Sequence, residues 1–537
     1  MARTAHRTES RLCLGVAAAM LLTGSVARAQ TPPQVFSGKK LADGQAYVTL
    51  VQLKHQPNPS DNGRVLIAFE ESGMKGIPLY ESRDEGTNWQ FVAHATDPVR
   101  ANQPGRCNAH WQPHLMELPR RVRDLPAGAI LLSASAVCND ERGRVAEQHL
   151  RLYSSTDQGR TWTYISEIIE GTVDKPVWEP NLRLLDDDRL VTYYSSEQHK
   201  AAGFNQLLAY KVSSDGGKTW GPEIPNVAMP GGVERPGMAI VDRLPDGSYV
   251  LSYELVNGPN VDHMVYVKFS KDGLDWGKPS DRGVSVRTLG GQYAASTPTI
   301  TWFPAGGPKG VLVIASRNGA EGGNSSGHSF YWNKNGGQGP WWQAPAPVKK
   351  RPNSRAGWTQ AVMMKRDGSF LHLTSSGRPD APDIGNRNEI LYAVGRLDFD
   401  RYEAEDATRE GAALMRDPAM SNASKVRLGS GEIGRLTYRI TVPAAGSYDM
   451  RLHYGQIGSD ATPRLTVNGR QLRGTVRAVP LDEASLAVRN RDLGTRGTGE
   501  MLAMSGTVRL KAGENLIEVR GGNYATDVDF LELVPAA

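Results

Sequence analysis

A unit of roughly sixty residues recurs six times along this chain, and nothing else in the sequence limits the fold so tightly. Its clearest mark is a turn of the form Ser-x-Asp-x-Gly-x-Thr-Trp. Ser82-Arg83-Asp84-Glu85-Gly86-Thr87-Asn88-Trp89 is one copy, and Ser155-Thr156-Asp157-Gln158-Gly159-Arg160-Thr161-Trp162 is a closer one. Ser213-Ser214-Asp215-Gly216-Gly217-Lys218-Thr219-Trp220 is a third, and Ser270-Lys271-Asp272-Gly273-Leu274-Asp275-Trp276 is a fourth, one residue short. The Asp side chain can take backbone N–H groups within the turn, the Gly accepts positive φ, and the Trp can pack between strands.

Each turn follows a strand, and each of those strands follows a fixed pair. The first of the pair opens as residue-Pro-x-apolar: Gln112-Pro113-His114-Leu115, Glu179-Pro180-Asn181-Leu182, Arg235-Pro236-Gly237-Met238 and Thr297-Pro298-Thr299-Ile300, with Thr359-Gln360-Ala361-Val362 in the matching place. Second strands are expected over 65–69, 130–134, 190–194, 249–253, 311–315 and 370–374, and third strands over 78–81, 150–154, 207–212, 264–269, 329–332 and 390–394. One such unit cannot bury both faces by itself, so six must stack around an axis. The expectation is an all-β chain: a six-bladed β-propeller carrying these Asp-box turns, followed by a β-sandwich of jelly-roll type.

Propeller geometry then restricts where chemistry can sit. The start of a first strand and the end of a second share one face, around the central opening, while the Asp-box turns lie on the other and are read as structural. At first-strand starts stand Gln112, Glu179, Arg235, Thr297 and Trp358. At second-strand ends stand Glu70 and Glu71, Ser135, Ser195 to Glu197, Glu254 and Arg317. Glu179 and Glu254 are the conspicuous pair, on adjacent blades and the same rim. Two facing carboxyl groups are what glycosidic cleavage needs, with retention at a separation of about 5–5.5 Å and inversion when wider. Ordinary rim carboxylates paired with Arg235 or Arg317 are the alternative.

The first residues have a different grammar. Arg3, Arg7 and Arg11 precede an apolar run over 12–22, and Ala27-Arg28-Ala29 has the form of a cleavage signal, so 1–29 is expected to be a secretory signal peptide. Export to the periplasm or outside the cell follows, with no membrane span in the mature protein. The formal charge of +5 loses most of its excess with that leader, leaving about +2. Nucleic acid is not an expected partner, and a monomer is expected. Cys107 and Cys138 remain after the leader, and in an oxidising compartment they are expected to form a disulfide.

The propeller is assigned 30–400 and the sandwich 401–537. All eleven Trp residues precede the second region, where short alternating strands such as 436–440, 447–453 and 515–519 replace the sixty-residue register.

Val177-Trp178-Glu179-Pro180-Asn181-Leu182, with Ser252-Tyr253-Glu254 in the next blade, resembles glycoside hydrolase family 93 over roughly residues 35–400. The resemblance implies an exo-α-1,5-L-arabinanase that releases arabinobiose with retention, Glu179 as nucleophile and Glu254 as general acid/base. It also implies an accessory tyrosine. Tyr293, near the start of blade five, is the candidate, because the sixth blade opens with Trp358. Gln112, Arg235 and Arg317 would hydrogen-bond furanose hydroxyls, and Trp178 or Trp111 would stack on a sugar. A sialidase would use an arginine opening blade one, where this chain has Ala46-Tyr47-Val48-Thr49-Leu50. A different exo-glycosidase and a non-catalytic sugar-binding propeller are the other readings.

Tyr402-Glu403-Ala404-Glu405, the run Ala444 to Arg451 and the closing Asp527-Val528-Asp529-Phe530 resemble carbohydrate-binding modules of families 6 and 35. That resemblance implies a structural calcium on Glu403, Glu405 and Asp529. Those modules often use a binding-loop Trp, for which Asn523 and Tyr524 are the only substitutes here.

Overall fold

The computed structural model describes residues 36–535, apart from 72–75, 97–106, 141, 143, 289–290, 306–308, 321–326, 340, 381–386, 398–400, 418–419, 421–423, 430–432, 443–444, 457–462, 473–500 and 523–524. The segment 1–29, expected to be a signal peptide, and the pair Asn523 and Tyr524 lie outside the described residues. Among the described residues no helix is long and apolar enough to cross a membrane.

Six antiparallel sheets follow one another along the chain, each built as the repeat predicts. Blade one is Thr49–Gln52, Val65–Ala68, Ile77–Ser82 and Gln90–Ala95, paired in that order, and blade three is Val177–Leu184, Leu190–Ser196, Leu207–Ser213 and Ile224–Ala228. Blade six has three strands of its own, Ala361–Met364, Phe370–Gly377 and Asn388–Gly395. Its outer strand is Lys39–Gly44 from the start of the described chain. Hydrogen bonds between the start of the described chain and the last blade thus close the ring. The second strands are apolar on both faces because each blade is covered by its neighbours: Val65 to Ala68 and Val311 to Ala315 are buried throughout.

The Ser-x-Asp turns explain how blades meet. In the third copy Asp215 Oδ1 accepts the Lys218 and Thr219 N–H groups at 3.0 Å each, Oδ2 accepts the Thr219 hydroxyl at 2.6 Å, and the Ser213 hydroxyl takes the Gly217 N–H at 2.8 Å. Gly217 has φ +87°, and a Cβ there would run into Leu152 of the preceding blade. Gly86 stands the same way against Leu371, Gly159 against Leu79 and Gly273 against Leu185. A fifth turn escapes the sequence pattern because Asn333 replaces the Ser. Its Oδ1 accepts the Asn335 and Gly337 N–H groups at 2.7 and 2.9 Å, and Gly337 abuts Phe269 of blade four.

The Thr219 hydroxyl and N–H, with Ser213 and Lys218, hold Asp215 far below the usual carboxylate range. A depressed folded-state value adds stability above pH about 4 that is lost as pH falls further. Asp215→Ala is therefore expected to lower unfolding free energy by about 1–2 kcal/mol and to weaken its dependence on acid. Activity should stay within twofold, because this turn is on the face away from the carboxylate rim. Urea unfolding at pH 7 and pH 3.5 checks the first part, and steady-state rates the second.

The last sheets form a sandwich. One layer holds Ala412–Arg416, Ser424–Leu428, Thr526–Pro535, Gly446–Gln456 and Met501–Leu510, with Arg401–Glu403 also on Thr526–Pro535. The other holds Thr408–Glu410, Arg435–Val442, Gly513–Arg520, Arg464–Val467 and Arg470–Gln471. Their facing sides share a core of Leu428, Leu436, Ile440, Leu452, Val519 and Leu531. In blade two, Cys138 is disulfide-bonded, and the backbone of Cys107 is its register partner. The Cys107 side chain lies outside the described residues.

Candidate active site

One residue per blade, at the start of the innermost strand, has a left-handed backbone: Tyr47, Gln112, Glu179, Met238, Thr297 and Thr359, with φ between 44° and 60°. Such a conformation costs an L-residue about 1–2 kcal/mol, so six repeats of it mark a built feature. In blades two, three and four the residue sits in a β-bulge, where register shifts between Trp111 and His114, Trp178 and Asn181, and Gly237 and Ile240. A bulge re-aims its side chain, and here these residues gather at one end of a central cavity of about 810 Å³ that Tyr47, Gln112, Glu179 and Met238 line together.

The ring is stitched from blade to blade through the N–H groups of these residues. Gln112 N–H donates to Glu70 Oε1 (3.1 Å), Glu179 N–H to Gln112 Oε1 (3.0 Å) and Met238 N–H to Glu179 Oε2 (3.1 Å). Thr297 N–H then donates to Glu254 Oε2 (2.9 Å). Acceptors at the ends of second strands are thus part of how adjacent blades join, which is one physical reason for acids there.

Glu179 receives more than this. The Tyr47 hydroxyl donates to its Oε1 at 3.1 Å and the Ser195 hydroxyl to its Oε2 at 2.7 Å. Burial pushes Glu179 above the usual carboxylate range, against the pull of Ser195, the Arg235 charge and Tyr47, while the Glu254 charge adds to the rise. Glu254 is buried and faces Gly237 in the ladder, where a Cβ on Gly237 would lie 3.7 Å from its Oε1. The two carboxylates therefore flank one short piece of backbone, Gly237–Met238. Only Thr297 donates to Glu254 among the described residues, and that leaves its Oε1 open.

The other expected residues are distributed as follows. Gln112 is a hub: its Oε1 also takes the Ser135 hydroxyl (2.8 Å), and its Nε2 reaches the Tyr47 hydroxyl (3.4 Å). Arg235 is three residues ahead of Met238, which is the true counterpart of Glu179 in blade four. The Pro236 pattern aligns Arg235 there, but Pro236 precedes the blade-four bulge whereas Pro180 lies within the blade-three one. Arg235 donates to Glu197 (3.0 Å), which also takes the Trp178 indole N–H (3.1 Å). Trp178 lies along Trp111 with 11° between ring planes and centroids 6.4 Å apart. Arg317 donates to the Ala356 and Ser354 carbonyls, and Glu254 lies close enough for its charge to act on Arg317. Trp358 sits one residue before the left-handed position, with Arg317 and Arg355 over its ring and Tyr47 against it edge-on at 5.7 Å.

Tyr293 is elsewhere. It packs against the core between blades three and four under Arg287, and its carbonyl takes the Tyr331 hydroxyl. Tyr47 is the tyrosine on Glu179. Aligning the first-strand starts on Pro passed over it, because Val48 follows Tyr47; applying the same offset to blade one would have found it.

In the sandwich, Glu403, Glu405 and Asp529 are all buried, and their charges, with Asp406, add to the burial that pushes the Tyr438 phenol up. Among the described residues, however, their oxygens are not one of the groups gathered within 4.8 Å of one another. Glu405 spends Oε1 on the Ser424 hydroxyl (2.6 Å). The donors are hard oxygens of the kind a calcium ion takes, and all three carboxyl groups act on the same buried phenol. His149, Glu167 and Glu170 in blade two are so gathered, with Arg151 3.6 Å from Glu167, a positive charge that opposes a cation.

No protein-family model matches the chain, and no curated protein does. Among solved structures it is similar to the alpha-L-arabinanase of Penicillium chrysogenum in complex with arabinobiose: 26% identical, TM-score 0.54, covering 67% of this chain and 98% of that one. The GH93 alpha-L-arabinofuranosidase of Fusarium graminearum with arabinobiose shares the fold at 24% identity and TM-score 0.53, over 67% of this chain and 99% of that one. This chain thus shares its propeller fold with a GH93 alpha-L-arabinofuranosidase and, at 26% identity, with an alpha-L-arabinanase.

Proposed function

We propose that the protein is an exported, retaining exo-glycosidase that acts on α-1,5-L-arabinan and releases arabinobiose, with Glu179 as nucleophile and Glu254 as general acid/base. The observation that carries the reading is the unequal treatment of two carboxylates on either side of Gly237–Met238. Glu179 takes three donors, two hydroxyls and one N–H, and so is shaped as an ionised acceptor. Glu254 takes one and keeps an oxygen open to carry a proton. In the first step Glu254 gives that proton to the leaving oxygen while Glu179 attacks the anomeric carbon. In the second, Glu254 takes a proton from water as it displaces Glu179. Tyr47 would ease charge off Glu179 in both directions. The Penicillium neighbour, with arabinobiose bound, supports the choice of sugar.

The same reading takes 30–400 as the catalytic part, 401–537 as an accessory carbohydrate-binding sandwich, and Cys107 as the partner of Cys138. A carboxylate-bearing substrate, as in a sialidase, has less support: Arg235 is already paired with Glu197, and Arg355 with Glu70 at 3.3 Å. The test is incubation of the purified protein with linear arabinan and with sialyl-lactose, with products separated by chromatography. Arabinobiose as the sole early product supports the proposal. Release of sialic acid, or no turnover of either, refutes it.

A further inference from the structure

We propose that Glu70 is a positioning residue for Glu179, acting through Gln112 and Tyr47; this rests on the reading of Glu179 as the reacting carboxylate. Glu70 follows the second strand of blade one and is 2% exposed, so it cannot itself meet a sugar. The two-carboxylate reaction has no use for a third buried acid. Burying one is unfavourable unless its bonds matter.

Both oxygens of Glu70 are occupied. Oε1 accepts the Gln112 N–H at 3.1 Å, and Oε2 accepts Arg355 Nη1 at 3.3 Å. The first bond holds Gln112 in its left-handed conformation, φ 56°. That conformation aims the Gln112 side-chain amide so that it takes the Glu179 N–H with its oxygen and reaches the Tyr47 hydroxyl with its nitrogen. The amide cannot turn over without losing both. The second bond holds Arg355, whose guanidinium lies 5.6 Å from the centre of the Trp358 ring, and Tyr47 rests edge-on against that same indole. Glu70 thus grips the two supports between which the Tyr47 hydroxyl is aimed at Glu179.

The clamp is made by the ionised form, because both partners donate. A proton on Glu70 takes one of its acceptor sites and removes the charge that holds both donors. Burial pushes Glu70 up to about 7, against the Arg355 charge and the Gln112 N–H, with the Glu179 charge adding to the rise. The charged or titratable groups facing it are Arg355 from the loop before blade six, Glu179 from blade three and Tyr47 from blade one; Gln45 and Gln112 are neutral. Neighbouring Glu71 is paired with His94 instead. As pH falls through neutrality the clamp opens, so the lower limb of kcat/KM should carry two ionisations, Glu70 and Glu179.

The test is Glu70→Gln in the full chain, alone and with Tyr47→Phe. The expected result is a loss of about tenfold in kcat with KM within about twofold, and a lower limb that loses its roughly tenfold step near neutrality while keeping the one-proton fall of Glu179. In the Tyr47→Phe background the same change should cost less than about twofold, since its target is gone. Equal losses in both backgrounds, or an unaltered pH profile, overturn the proposal. A crystal structure of Glu70→Gln reads it without turnover. The Tyr47 hydroxyl is expected beyond about 3.5 Å from Glu179, and an undisturbed contact overturns the proposal. An inactive wild type would refute the arabinanase reading alone, because the crystallographic result needs no substrate. If Glu70→Gln does not fold, Arg355→Met serves. It removes the charge that lowers Glu70, so the lower limb should move to higher pH, and a limb that stays put overturns the proposal.

Discussion

Glu179→Gln is expected to abolish turnover of linear arabinan, with kcat reduced at least about 10⁴-fold and KM within a few-fold. The amide keeps the shape and most of the hydrogen bonds of the carboxylate but cannot form a glycosyl-enzyme bond. Stability should move the other way. Burial raises the folded-state pKa of Glu179, so it holds its proton to higher pH than in the unfolded chain, and the stability this contributes is lost as pH rises through that raised value. A neutral Gln escapes that loss, and the melting temperature at pH 7 should equal or exceed that of the wild type. For activity the sign is reversed, because the nucleophile must be ionised. Wild-type kcat should therefore fall with acidification from a pH above the ordinary carboxylate range. Residual activity within tenfold of wild type in the folded variant would remove Glu179 from the nucleophile role. Rates by chromatography and melting by scanning calorimetry supply both halves.

Replacing Glu254 by Ala should lower kcat on arabinan by about 10²–10⁴-fold, the span typical of a lost general acid/base. On an aryl arabinobioside with a good leaving group, the first step no longer needs the proton and a glycosyl-enzyme should accumulate. Added azide should then restore turnover and give an arabinobiosyl azide. If the two carboxyl groups stand about 5–5.5 Å apart, that azide carries the starting anomeric configuration. NMR of the product decides the matter. An azide of inverted configuration would mean a wider pair and a direct displacement, and no rescue would take Glu254 out of the reaction. Asp215→Ala, by contrast, should touch stability and leave both kinetic steps alone.

The two predictions lean on residues that differ in how far the sequence exposes them. Glu179 precedes a Pro and an apolar strand, and Glu254 extends a second strand, so placing both on one rim needs only blade order and strand direction. Tyr47 carries no such mark. It lies 132 residues from Glu179 in the chain and meets it only because the innermost strands of blades one and three both reach the axis. Arg235 shows the opposite error: a Pro pattern puts it at the blade-four opening, but Pro236 precedes the bulge that Pro180 occupies in blade three, and Met238 holds the matching place. The fifth turn, with Asn333 for Ser, was hidden because different side chains can cap the same backbone.

What the sequence determined by itself is whatever depends on neighbours within a few residues: strand alternation, Gly at positive-φ turns, and the sixty-residue period that obliges six sheets to pack on one another. The tertiary structure alone decided how the ring closes, with Lys39–Gly44 completing blade six. It also decided which side chains converge at the cavity mouth. Convergence is set by left-handed residues and bulges at the innermost strands, where a shift of one residue turns a side chain to the other face. No local pattern of polar and apolar residues records that choice, because six blades must meet before it has an energy.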